Sequence, residues 1–210
     1  MSVDARQAAG EGWPCFPLRL APAAGNTPEQ AEALGKTPTL PDGTVRNIFR
    51  TFAWHPTLLK RLNAYLGTFM RFNQVSAYDR EVIVLRVATT VRCRYEMGQH
   101  LPIAVEAGLD ESTIRAVVSG DGQLGEHESL LVQATDEFLA SGYLSDDVWA
   151  GLSERYDEAS LVELVALIGQ YRMIGDLLNV FGVQLEADIA AEFSRWLEDG
   201  RPEEISGRQD

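Results

Sequence analysis

Long apolar runs are missing from this 210-residue chain, and none approaches the ~20 residues that a bilayer-spanning helix requires, so no membrane insertion is expected. The start, MSVDARQAAGEGW, carries Asp4 and Glu11 and no apolar core of signal-peptide length, which makes the cytoplasm the expected location. Basic clusters are missing too. With 18 Lys and Arg against 31 Asp and Glu, the formal charge of −13 repels phosphate backbones, and nucleic acid is not an expected partner. No glycine-rich loop of either nucleotide-binding pattern is present, and His55, His100 and His127 lack metal-ligand spacing, so neither a metal nor any other cofactor is expected. There are two cysteines, Cys15 and Cys93, far apart in the chain, which favours free or reactive thiols over a structural disulfide.

What is present is helical. At 45% hydrophobic and 23% charged residues, the composition is that of one globular domain with a buried core. Six prolines before residue 43 (Pro14, Pro17, Pro22, Pro28, Pro38 and Pro41) predict an extended arm over 1–43 rather than long helices. Trp13, Phe16, Leu18 and Leu20 in that arm call for packing along the body or onto a neighbouring subunit. The domain proper is expected over 44–197, with a polar tail over 198–210.

Within the domain, period-two alternation is scarce, and the spacing predicts helices over 44–51, from about 57, after Ser76, and over 95–107, 126–140, 146–155, 160–183 and 187–197. Ser76 with Asp79 marks the start of a helix that Val82, Ile83, Val84, Leu85, Val87, Ala88 and Val91 make apolar nearly all round, and hence central. The fold class is all-α, with no strand required.

Four reactive groups fall within twenty residues: Glu81, Cys93, Glu96 and His100. The spacings of three, four and seven among the last three place a thiol, a carboxyl and an imidazole on one face if a single helix carries them. Glu81 joins them only if its helix packs against theirs. Each has an ordinary alternative: Glu81 complementing a helix dipole in a first turn, Cys93 as a small buried hydrophobe, and Glu96 with His100 as a surface pair. A carboxylate about 5 Å from a thiolate, at an effective dielectric near 20, opposes it by roughly 3 kcal/mol. Glu96 therefore works against a nucleophilic Cys93, while a carboxyl and an imidazole together suit proton transfer. His55, before Pro56, reads as a turn or capping residue, and His127, in Gly-Glu-His-Glu, as a solvent-exposed one.

Glu81, Cys93 and His100 fall on a pattern of Glu, twelve residues to Cys-x-x-Cys, then His four residues on; through it the chain resembles the carboxymuconolactone decarboxylase and alkylhydroperoxidase-D-like family. Supporting stretches run over about 44–185: Asn47-Ile-Phe-Arg-Thr51, Tyr95-Glu-Met-Gly-Gln-His100, Ala107-Gly-Leu109, and Gly169-Gln-Tyr-Arg-Met173 with Leu178-Asn-Val-Phe-Gly-Val183. Glu96 stands where dithiol members carry the second cysteine, which removes a Cys-x-x-Cys redox cycle. The resemblance implies an all-helical homo-oligomer, trimeric or hexameric, acting on a small-molecule substrate. It also implies a site built from His100, Glu96, Glu81 and Cys93, beside which Tyr95 and Gln99 are the substrate-pocket candidates. The leading expectation is lyase- or isomerase-type acid/base chemistry on a carbonyl- or carboxyl-bearing compound, with His100 as acid/base. The alternatives are a one-cysteine peroxidase using Cys93 and an external thiol, and a non-catalytic oligomeric binding protein.

Overall fold

The structure, a computed structural model, describes residues 13–40, 42–120 and 123–199; the first twelve residues of the expected arm and all but the first two of the expected tail lie outside them. Ten helices are present among the described residues: α1 (Pro28–Leu34), α2 (Asn47–Phe52), α3 (Pro56–Arg71), α4 (Ala77–Thr90), α5 (Arg94–Glu106), α6 (Glu111–Ser119), α7 (Glu126–Ser141), α8 (Asp146–Ser153), α9 (Glu158–Phe181) and α10 (Ala187–Asp199). The only extended pairing among them is an isolated antiparallel bridge between Thr39 and Val45. The fold is all-α.

Local chemistry sets the helix ends. Ser76 Oγ accepts from Asp79 N at 3.0 Å, Asp110 Oδ1 from Thr113 N at 2.7 Å and Asp157 Oδ1 from Ser160 N at 2.9 Å, each satisfying a donor the helix itself leaves open. His55 Nδ1 does the same for Leu58 N at 3.2 Å, the capping role expected of it. α4 is the centre: every residue from Asp79 to Thr89 is buried, and α5, α6, α7 and α9 pack around it. Their apolar faces form the main core, with Ile83, Leu85, Met97, Leu131, Leu164 and Ile168 among its fully buried members.

A second, smaller core joins α2 and α3 to the C-terminal half of α9 through Phe52, Leu59, Leu62, Ile174 and Leu178. The arm differs from a simple extended strap. Thr27 Oγ1 accepts from Gln30 N, and Pro28 takes the first turn, where a missing N–H costs nothing, so the seven-residue α1 forms and packs on α3. Upstream, Arg19 N and Leu20 N donate to Phe181 O at 3.0 and 3.2 Å, and the Trp13 ring meets Phe193 edge-on at 5.8 Å. The described arm thus lies on its own chain's body, although Phe16 and Leu18 stay exposed.

Candidate active site

Glu81 stands one turn inside α4, not in its first turn, and its side chain is fully buried. A dipole contact at a helix start does not explain it. Its two oxygens are engaged separately: Oε1 accepts from Arg80 Nε at 2.8 Å, and Oε2 lies 2.7 Å from His100 Nδ1 on α5. Burial pushes the Glu81 carboxyl up, but the neighbouring His100 and Arg80 outweigh it, so the net direction is down and the group is ionised. An ionised Glu81 accepts a hydrogen bond from Nδ1–H and leaves Nε2 as the ring nitrogen available to a ligand. Tyr171 of α9 meets the His100 ring edge-on at 5.1 Å and fixes its tilt.

The stripe expected of Cys93, Glu96 and His100 is interrupted. Arg92 adopts a left-handed φ of 55°, and Cys93 is the N-cap of α5 with ψ 96°, so it precedes the helix instead of sharing its face. Its Sγ accepts from Glu96 N at 3.5 Å. Cys93 is buried among Tyr95, Ile174 and Leu178 and is not part of the cavity wall. Burial and then the Glu96 carboxyl push its thiol well up, so it is protonated and a poor nucleophile.

Glu96 is buried, and neither carboxyl oxygen has a hydrogen-bond partner among the described residues. Burial, then Asp176, drive its acid well up, so the group is an uncharged carboxylic acid able to donate one hydrogen bond and accept others. Gly175 makes room for it: a Cβ there would lie 2.8 Å from Glu96 Oε2 and 2.7 Å from Val91 Cγ2.

Glu96 and His100 open onto a cavity of about 450 Å³ between α3 on one side and α5 with α9 on the other. His100, Glu96, Gln99, Tyr95 and Tyr171 supply its polar wall, and Ile48, Phe49, Leu66, Met70 and Ile103 much of the apolar one. Its size falls in the range typical of small-molecule sites. No three metal-ligating side chains cluster among the described residues.

Local spacing left one organising residue unseen. Glu186, in the loop before α10, accepts from Asn47 N at 2.7 Å and from Tyr95 Oη at 3.1 Å through Oε1, and from Gln99 Nε2 through Oε2. Tyr95 Oη in turn accepts from Ile48 N at 3.2 Å. One carboxylate thereby holds two cavity side chains and the start of α2, whose N-cap Arg46 provides no side-chain cap. His127 also departs from expectation. Its Nε2 lies 2.7 Å from Asp79 Oδ1, and Asp79 Oδ2 accepts from Tyr156 Oη at 2.9 Å, so it is a partly buried bridge from α7 to the start of α4.

The helical fold around a buried Glu–His pair is of the alkylhydroperoxidase-D-like class. An uncharacterised peroxidase-related protein from Silicibacter sp. TM1040 superposes with a TM-score of 0.69 at 17% identity, covering 87% of this chain and 100% of that one. The alkylhydroperoxidase AhpD core of a peroxidase-related protein from Ralstonia eutropha JMP134 gives 0.63 at 16% identity, covering 70% and 80%. The debrominase Bmp8, in complex with 2,3,4-tribromopyrrole, gives 0.63 at 14% identity, covering 87% and 100%. Identities this low speak to the fold alone. Residues 56–125 match the model of the carboxymuconolactone decarboxylase family. No curated protein matches the sequence.

Proposed function

We propose that this protein is an acid/base enzyme of lyase or isomerase type acting on a small carbonyl-bearing compound, with His100 moving the proton. The observation that carries this reading is Glu81 held 2.7 Å from His100 Nδ1 beside a buried Glu96 that has no hydrogen-bond partner among the described residues, with His100 and Glu96 both in the wall of one cavity. Glu81 keeps the proton on Nδ1, so Nε2 is a base for a C–H next to a substrate carbonyl. As the carbon yields its proton, charge develops on the carbonyl oxygen, and the Glu96 O–H donates to it. An acid kept neutral by an apolar site is suited to that role, because it stabilises the oxyanion without placing a second charge beside it. His100 then returns the proton to the same carbon or to a neighbouring one. Where the substrate carries a carboxylic acid β to the carbonyl, His100 Nε2 takes the proton of that acid, loss of carbon dioxide from the resulting carboxylate generates the same enolate, and His100 returns the proton to the carbon left behind.

The one-cysteine peroxidase reading fits less well, since Cys93 is protonated, fully buried and outside the cavity wall. That Bmp8 shares the fold and binds a halogenated heterocycle supports a compact organic ligand for this architecture.

Proton–deuteron exchange at the α-carbon of small ketones, lactones and keto acids, followed by NMR in D₂O, tests the proposal. Exchange is expected with at least one compound, to fall by about 10²–10⁴-fold in His100→Ala, and to survive within a few-fold in Cys93→Ser. Equal loss in the two variants, or peroxide consumption that depends on Cys93, would overturn it.

A further inference from the structure

We infer that the ligand of this cavity is a predominantly apolar organic monoanion whose carboxylate is held at the mouth by Arg46 and Arg71. The inference rests on the cavity being the reaction site, as proposed above, and adds the class of substrate. In a chain of net charge −13, the fixed charges in the cavity wall are both positive: Arg46, half-buried at the start of α2, and Arg71, exposed at the end of α3. Five other arginines are tied to carboxylates: Arg80 to Glu81, Arg86 to Asp136, Arg115 to Glu111, Arg155 to Glu126 and Arg172 to Asp176. Arg46 and Arg71 have no such hydrogen-bond or ion-pair partner among the described residues, although the chain has 31 acidic side chains to offer.

Arg71 is also seated. Gly67, buried in the middle of α3, is an unfavourable residue for a helix interior. A Cβ at that position would lie 2.7 Å from Arg71 Nη2, so the guanidinium lies over this glycine. The side chain thus folds back along α3 to the cavity.

Beyond the two arginines the wall runs through an apolar middle of Leu66, Met70, Phe49 and Ile103 to a polar end formed by the buried Glu96 and the half-buried His100. Planar guanidinium groups match a carboxylate head, and the apolar middle matches a hydrocarbon or aromatic body. That polar end is unsuited to a second anion. Its nearby cation, Arg80, is already bonded to Glu81, and Asp176 adds a negative field at Glu96. One charge at the mouth and an uncharged polar group at the polar end is the complementary pattern.

Calorimetry at low salt with 4-phenylbutanoate and its uncharged analogue 4-phenylbutanamide tests this. The acid is expected to bind at least tenfold more tightly than the amide. Arg46→Ala and Arg71→Ala should each weaken the acid by about tenfold, or 1.4 kcal/mol, and the amide by less than twofold. Equal affinity for acid and amide, arginine variants that leave the acid unaffected, or absence of binding by both would overturn it. Arginine-dependent binding without proton exchange on any carbonyl compound would sink the acid/base reading and leave the anion site standing; exchange that is indifferent to both arginines would do the reverse.

Discussion

The two sides of the cavity are built to different standards. On one side, α4, α5 and α9 belong to the main core, where α4 is buried from Asp79 to Thr89, and they present Glu81, His100 and Tyr171 from tightly packed helices. On the other, α3 has α1 and α2 as its main packing partners and leaves Leu58, Tyr65 and Met70 substantially exposed, with Phe72 just beyond it. The groups that need fixed geometry are on the rigid wall, and the groups that would meet the variable part of a ligand are on the lightly packed one. A catalytic pair tolerates little displacement, whereas a specificity surface can yield.

That contrast can be broken by substitution. Leu164→Ala, in the fully buried bundle, should destabilise by about 2–5 kcal/mol, because close-packed neighbours cannot collapse into the void. Leu66→Ala faces space that is already empty and should cost about 1 kcal/mol or less. Denaturant unfolding checks both, and equal losses would mean the two walls are packed alike.

A subtler difference concerns charge on the rigid wall itself. The Glu96 acid is raised above its ordinary 4.5 in the folded state, so the unfolded chain gives up its proton first and wild-type stability is eroded as pH climbs above about 4.5. Glu96→Gln has no such proton to lose, so its melting temperature relative to wild type should rise from acid to neutral pH. Glu81 has the opposite sign: lowered from 4.5, it stabilises above that pH and loses the contribution as the pH falls, an acid limb that Glu81→Gln should flatten. Melting curves parallel to wild type at every pH would refute the uncharged Glu96. Smallest in energy is the thiol contrast. In the native protein a disulfide-exchange reagent should label the exposed Cys15 quickly and the buried Cys93 only on unfolding; two fast thiols would reopen the nucleophile question.

Much of the helical layout was legible because caps and periodicity are local. Ser76 with Asp79 sits where the backbone begins α4. The four reactive residues were legible as candidates but not as a geometry. Glu81 and His100 meet through helix packing, which residue spacing does not encode, and the left-handed Arg92 removed Cys93 from the expected stripe. His127 was misread from its polar sequence neighbours because Asp79 arrives from 48 residues away. Glu186 had no local signal at all, since its partners on α2 and α5 lie 139, 91 and 87 residues upstream.

That last separation bears on the order in which the molecule can be completed. α2 begins without a side-chain cap of its own, and Asn47 N is satisfied by Glu186, which leaves the ribosome long after it. Until α9 and the following loop are made, the chain that closes the cavity has its first helix only partly satisfied, while the segment carrying Glu81 and His100 already exists. The binding chamber is therefore completed late in synthesis, by α9 residues of its wall and by Glu186, which stands outside it.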